Sequence, residues 1–574
     1  MSRPSLHAIA AELRGTCPGN AFMRAWLEPT WQNQAGFAAE LDSVVERHVA
    51  PAGRTRVETA VDLFQECALL HTASLGPALI ERDRSRFAPL SYARLCEEAC
   101  SLATTWRQAG VKHGMCVAIV MPVSRSYLVC LFAAFHLGAV AAPVPPSGRR
   151  YVKRRIEQLA PDFLVTLAEC ASWFDAEARF LPSRGEQPTQ SQAHAYEPEA
   201  PALRVISAFR SFEQEPVELG ARELLHALVR DGLLALTLGF AERVAAPGFD
   251  ALQTQPLMLL TVLRMGATWV ELDEQDVLDD PSLLGQAGVQ RLGVTRAVRN
   301  RLLELGDAEL PKLRAWFRLL NETYDYVAWD DFRARMAKQN CPGFAVLSSA
   351  ASCGVSLSTQ PSLVAQAQCV WPRAGENWTL SQVGTDGFRA WHASGVYTPL
   401  RLDRQSQRAV PDATGPHIVL TENGDGWTFA GSVDSWPDSR ALPLEDIARV
   451  ASRHPRVGAA AACIAPGRWA NEANLTLGLF VPTRDELGRV EDLAQLHEEV
   501  TAHLVWELGR SCAPARIEVF PLYPRWKKDM VDLNWFREQY LSGALYLRAQ
   551  EPLFIALAQL SWAFDSSYAE KSKP

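Results

Sequence analysis

Short apolar runs alternating with helix-period segments between residues 57 and 347 predict an α/β protein: a large N-terminal domain of βαβ-type sheets covered by helices, then a small α+β C-terminal domain. Three observations carry this. Apolar runs too short for helices, such as 117–121 and 163–167, recur between segments of helical period. That rhythm is lost over residues 360–415. Asn423-Gly424, a strong hairpin signal between apolar runs, then opens a stretch of ordinary small-domain length in which helix and strand patterns resume. With 574 residues the chain is too long for one core.

Taken in order, residues 1–57 read as an N-terminal helical extension. Helices are expected over 60–70, from Tyr92 to about 109, over 124–137 and over 149–159. Strands are expected at 117–121, 139–144 and 163–167. Residues 169–201 hold Pro182, Pro188, Pro198 and Pro201 among few apolar residues and predict a surface loop. Strands at 205–209, 268–272, 291–294, 316–320 and 344–347 follow, with helices at 223–236 and 331–338 between them. The later part predicts a hairpin of 417–421 with 427–433, a helix at 444–451, strands at 457–464 and 475–481, a helix at 492–508, a strand at 517–520 and a helix at 531–540. A last helix covers 551–564. The expected organisation is the extension 1–57, a large domain 58–433, a small domain 434–542 and a helical tail 543–574.

Composition excludes several classes. The net charge is -8, from 57 basic and 65 acidic residues, whereas a nucleic-acid binder carries a basic footprint. No apolar run follows Met1, so no secretory leader is expected. Residues 126–147 lack Asp, Glu, Lys and Arg, but His136, Gly138, Pro143, Pro145 and Pro146 interrupt them. A buried helix and strand fit better than a membrane span. The 12 cysteines form no CxxC pair and the 12 histidines do not cluster. Scattered buried thiols in a reducing, cytoplasmic protein are expected, and no metal site.

Three regions resemble the adenylate-forming superfamily: acyl-CoA synthetases, fatty acyl-AMP ligases and peptide-synthetase adenylation domains. Leu90-Ser91-Tyr92-Ala93-Arg94-Leu95 with Gly110-Val111-Lys112-His113-Gly114 is similar to "LTYxEL … GVxxGD". Leu137-Gly138-Ala139-Val140-Ala141-Ala142-Pro143-Val144 is similar to "xAGAVxVPL". Pro145-Pro146 and the arginines after it resemble fatty acyl-AMP ligases. The third region holds Phe429-Ala430-Gly431-Ser432-Val433-Asp434 for "FxGRxD", Leu442-Pro443-Leu444-Glu445-Asp446-Ile447 for "IELEEIE", His454-Pro455-Arg456-Val457 for "HPxV" and Phe520-Pro521-Leu522-Tyr523-Pro524-Arg525-Trp526-Lys527 for "LPLTPNGK". These are structural positions, so the resemblance implies the fold and a small, mobile C-terminal domain, not activity.

Such enzymes join a carboxylate to ATP, and the resemblance implies where the groups for that chemistry would stand. In place of the glycine-rich "TSGTTGxPKG" loop, whose backbone N–H groups cradle phosphates, the chain has Ser207-Ala208-Phe209-Arg210-Ser211-Phe212-Glu213-Gln214-Glu215-Pro216. Phe209 and Phe212 fall at glycines, Glu215 falls at the lysine, and Glu213 lies two residues earlier. "YGxTE", with its magnesium-serving glutamate and adenine-facing aromatic residue, becomes Ser349-Ala350-Ala351-Ser352-Cys353. Pro416 stands at the ribose-binding aspartate, and the glycine loop after the hinge becomes 435–441 without glycine. Asp434 matches the hinge position, or caps a turn. Lys527, or Lys528 if the register slips by one, matches the C-terminal catalytic lysine, or is a surface lysine. Cys353 reads as a nucleophile or as an inert buried thiol.

Two functions remain open from sequence. One is a degenerate homologue that no longer adenylates and binds an acyl chain or small carboxylate, an acyl carrier protein or a partner enzyme in acyl-chain metabolism. The other is a divergent but active acyl-AMP or acyl-CoA ligase, or an ATP-independent acyl transferase using the ancestral pocket. ATP and magnesium are expected cofactors only for an active ligase.

Overall fold

The computed structural model describes residues 60–564 except for 84–85, 175–178, 186–191, 207–215, 323–324, 351–352, 360–370, 373–377, 383–393, 404–407, 412–417, 424–425, 433–441, 468–472, 482–489 and five single positions. The expected N-terminal extension lies outside the described residues. The chain divides into two compact units: Met1–Pro145 with Ile156–Asp434, and Pro146–Arg155 with Ser435–Pro574.

Two parallel-rich sheets build the first unit. Its strands are β1 (Pro77–Asp83), β2 (Arg86–Ser91), β3 (Cys116–Val120), β4 (Val140–Val144), β5 (Phe163–Thr166), β6 (Pro201–Val205), β7 (Val217–Gly220), β8 (Arg243–Ala245), β9 (Thr268–Val270), β10 (Arg291–Gly293), β11 (Ala315–Leu319), β12 (Gly343–Ser349), β13 (Gly354–Ser358) and β14 (Trp371–Pro372). One sheet runs β5-β3-β4-β6-β7 and the other β14-β13-β12-β11-β10-β8-β9-β1-β2. In the larger sheet β12, β11, β10, β8, β9 and β1 are parallel, with antiparallel strands at both edges.

Helices cover these sheets as the sequence pattern requires. In Tyr92–Gln108 the buried residues Tyr92, Leu95, Cys96, Ala99, Leu102, Ala103 and Trp106 follow a helical stripe, and the Ser91 hydroxyl accepts the Arg94 N–H at the start. The charge-free stretch resolves into the helix Arg125–Leu137, buried at every residue from Tyr127 to Leu137, followed by β4, buried throughout. Among the described residues no helix is long and apolar enough to cross a membrane.

Four local expectations are corrected. The helix expected over 60–70 is only Leu63–Cys67 plus a 3-10 turn at Leu69–His71. The strand expected at 205–209 is β6 and ends at Val205; Pro201 opens it, where no ladder N–H is needed. The helix expected over 223–236 is Ala221–Arg230, and a π-turn takes over at Asp231–Ala235, where Gly232 weakens helical propensity. Strands β1, β2, β7 and β8 were not expected. β2 is an exposed edge carrying Pro89, and β8 has three residues, so neither shows a period.

A further sheet pairs Trp378–Gln382, Ser394–Asp403, Ile418–Asn423 and Gly426–Ser432, with Arg408–Pro411 on Ser394–Asp403. The last long pair is the hairpin read from Asn423-Gly424, with Asn423 opposite Gly426.

The second unit is built on the strands Ala459–Pro466, Ala473–Phe480 and Arg516–Phe520. Side-chain alternation gives the sheet two apolar faces. Ala460, Ala462, Leu477 and Leu479 pack with Ile447, Leu496, Val500 and Leu504 of the helices Leu444–Ala451 and Val490–Leu508. Ala459, Ala461, Phe480 and Phe520 pack with Phe536, Leu545, Ala549 and Trp562 of the last three helices. Tyr151 joins the first face and Arg154 pairs with Asp446, so residues 146–155 are built into this unit.

Candidate active site

Winding direction reverses in the larger sheet. From β8 the chain moves to β9 on one side, then passes back across β8 to β10 on the other. Open parallel sheets bind ligands outside the carboxyl ends of their strands at such a point. The described residues there are 247–250 after β8, Thr295 and Arg296 after β10, Leu320 and Glu322 after β11, and Ala350 and Cys353 after β12.

Carboxylates hold this edge together. Gly248 adopts a left-handed φ of +79°, and a Cβ there would stand 2.3 Å from Oε1 of Glu274. The Thr295 hydroxyl donates to the same oxygen at 2.5 Å and also accepts the Val298 N–H, capping the helix Arg296–Leu303. Oε1 of Glu322 accepts the Arg296 N–H at 2.5 Å. The helix N-terminus, a natural anion site, already holds a carboxylate. Glu271 follows β9; burial pushes its carboxyl up to about 8, against the Trp269 indole N–H that donates to it at 2.6 Å.

The β12–β13 turn is fixed from beneath. Cys353 has φ +52° and is 1% exposed; its thiol lies 3.9 Å from the Glu223 carbonyl oxygen. The buried Arg230 guanidinium reaches the Cys353 carbonyl at 3.4 Å and pairs with Asp231 at 2.7 Å. Asp231 accepts the Val355 N–H at 2.8 Å. A Cβ on Gly354, whose φ is +105°, would fall 2.1 Å from an Asp231 oxygen. Ten free thiols lie among the described residues, all buried except Cys100, and burial pushes Cys67 and Cys130 up to about 12.

The residues singled out from sequence are distributed as follows. Ser207, Phe209, Phe212, Glu213 and Glu215 lie outside the described residues, between β6 and β7, as do Pro416, Asp434 and 435–441. Ser349 ends β12, four positions before Cys353. Lys527 sits in the hairpin Trp526–Lys527 with Met530–Val531 of the second unit, and Lys528 turns it with φ +57°; both side chains are exposed. Sequence reasoning missed Glu274, Thr295, Glu322, Arg230 and Asp231. Only Asp231-Gly232 inside a helical stretch hinted at any of them.

Residues 76–225 match the family described as AMP-binding enzyme. No curated protein matches the chain. Among solved structures, an o-succinylbenzoate CoA synthetase from Bacillus subtilis shares 14% identity at a TM-score of 0.61, over 83% of this chain and 98% of that one. A fatty acid AMP ligase from Legionella pneumophila shares 12% at 0.59, over 86% and 98%. An artificially fused adenylation-PCP di-domain from Klebsiella oxytoca shares 14% at 0.61, over 85% and 97%. At these identities the likeness is one of fold. The chain thus shares the fold of these ligases over more than four fifths of its length, and its first unit contains a stretch similar to AMP-binding enzymes.

Proposed function

We propose that this chain keeps the adenylate-forming fold without the adenylation chemistry, and serves as an accessory module that binds an acyl chain, a small carboxylate or an acyl carrier protein in acyl-chain metabolism. The observation that carries the reading is the segment joining β6 to β7. In the family register it should be a bare, electropositive glycine loop. Here it has no glycine, places Phe209 and Phe212 where backbone must approach phosphate, and sets Glu213 and Glu215 where a lysine belongs. Each carboxylate opposes a phosphate charge 4 Å away by ~1 kcal/mol in water and about four times more near a protein surface.

Other positions agree in direction. Cys353 stands for a magnesium-serving glutamate, and a thiol packed against a main-chain carbonyl is a poor ligand for an ion that needs hard oxygens. Pro416 has no side chain to hold a ribose hydroxyl. Glu274 and Glu322 put carboxylates at the switch point of the larger sheet, where open parallel sheets bind ligands. The residues present do not fit magnesium-ATP, and no step is routed through it.

The test is magnesium-ATP titration of the full chain by thermal shift and calorimetry, with pyrophosphate release measured on a panel of carboxylic acids. A ligand at 100 times its Kd stabilises by ~2.7 kcal/mol. No shift with ATP and no pyrophosphate are expected, together with stabilisation by fatty acids or an acylated carrier protein. ATP-dependent pyrophosphate release would overturn the reading.

One observation favours a divergent active ligase: Lys527 is retained on an exposed hairpin, free to reach a substrate. Pyrophosphate release abolished by Lys527→Ala would establish that alternative.

A further inference from the structure

Residues 192–196, just before β6, are strapped to the first unit. The His194 N–H donates to the His136 carbonyl at 3.0 Å, and Tyr196 and Val61 exchange N–H to carbonyl bonds at 2.8 and 2.9 Å. The buried Tyr196 hydroxyl donates to the Ala139 carbonyl at 2.8 Å. His194 itself is half-buried. Its ring lies on Gly138, the left-handed cap (φ +70°) that ends the helix Arg125–Leu137, where a Cβ would collide with the imidazole. The Tyr196 ring meets it edge-on at 5.6 Å. His113, exposed on the turn before β3, stacks on its face at 5.3 Å with the two planes 4° apart.

We propose that His113 and His194 form an acid-sensitive latch: the neutral stacked rings hold residues 192–196 on the first unit, and protonation of His194 releases them. A cationic imidazole wedged between Gly138, Tyr196 and His113 has lost much of its hydration. Burial is the leading cause that holds the His194 imidazole below its ordinary 6.5, and the charge His113 carries when protonated is the next. Asp62 alone opposes them, and its carboxylate is engaged at the start of the helix Leu63–Cys67, where it accepts the Gln65 N–H at 2.8 Å. The remaining titratable groups of the surrounding elements do not rescue the cation. Lys112, exposed beside His113, carries the same sign. The His136 ring packs edge-on to Phe64 at 5.0 Å. Burial keeps the Tyr196 phenol neutral, well above 10, and Glu197 lies exposed beyond it. Docking that depends on a neutral imidazole is at full strength above about 6.5 and weakens as pH falls from there through the docked value. Each unit between the two values loosens the strap about tenfold. Release also undoes the pairing of Tyr196 with Val61, which precedes the helix Leu63–Cys67.

Amide hydrogen exchange of the full chain at pH 7.5 and 5.5, corrected for the intrinsic pH dependence of exchange, tests this. Protection of the His194 and Tyr196 amides is expected to fall by up to roughly tenfold at pH 5.5. The Trp316 amide, which donates to the Pro342 carbonyl in the larger sheet, should keep its protection. His194→Gln cannot charge and should protect Tyr196 equally at both pH values. His113→Gln removes the second charge and should shrink the fall. A magnetic-resonance titration of the histidine rings in the wild-type chain gives an answer even if His194→Gln fails to dock: His194 should titrate below 6.5, and higher in His113→Gln than in the wild type. Protection that does not change with pH overturns the proposal. So does a parallel fall at Trp316, an undiminished fall in His194→Gln or His113→Gln, or a His194 ring that titrates at or above 6.5.

Discussion

Glu271 is a carboxyl group held where its charge is disfavoured. Its value of about 8 in the folded chain lies above the ordinary 4.5, with burial the leading cause. Between these two values the folded state keeps a proton that the unfolded chain has released. Stability is therefore fully present below about 4.5 and falls as pH rises towards 8. Glu271→Gln keeps an acceptor for the Trp269 indole and removes the charge. Its melting temperature should exceed that of the wild type at pH 8 and match it near pH 4.5; a pH-independent difference would mean that Glu271 does not titrate in this range. Gly354 offers a second test. Any side chain there meets Asp231 and must adopt φ +105°, a region that L residues enter at a cost of about 1–3 kcal/mol before any clash. Gly354→Ala should therefore destabilise the first unit by about 2 kcal/mol or more, read by chemical denaturation.

Elements that bury every side chain were readable as uninterrupted apolar runs. The helix Arg125–Leu137 was visible as a charge-free run from residue 126 because every side chain from Tyr127 to Leu137 is buried, against the helices Leu63–Cys67 and Tyr92–Gln108 and the strands β3 and β4. Phe132, fully buried and edge-on to Phe64 and Phe135, is one of its anchors. Phe132→Ala should cost about 3–5 kcal/mol, measured as a lower denaturant midpoint with unchanged slope. Among short elements the outcome was mixed. β9 and β10, of three residues each, fall within the expected strands 268–272 and 291–294, whereas β8 and β7 were not read from the sequence; they exist because parallel neighbours pair with β8 and an antiparallel one with β7. The π-turn at Asp231–Ala235 also escaped, since its Asp231 carboxylate bonds to a strand more than 120 residues away.

At the scale of the molecule, the chain's own residues specified the α/β class, the hairpin at Asn423 and the alternation that makes a two-faced sheet in the second unit. Each is written locally, in hydrophobic period and turn chemistry. The motif order by which the chain resembles adenylate-forming proteins is likewise a property of sequence, as is the composition of the β6–β7 segment on which the proposed loss of nucleotide chemistry rests. Only tertiary structure decided which side chains meet at the switch point. Glu274 reaches Thr295, Glu322 caps a helix that begins 26 residues before it, and Arg230 supports the turn at Cys353 across 123 residues. Nothing in local spacing encodes such pairs, because they arise from strand order, and strand order is set by the packing of the whole sheet. The last helix shows the same division. Its apolar composition can be read in the sequence, but which edge is buried was settled by Trp562 docking against Leu522 and Tyr523.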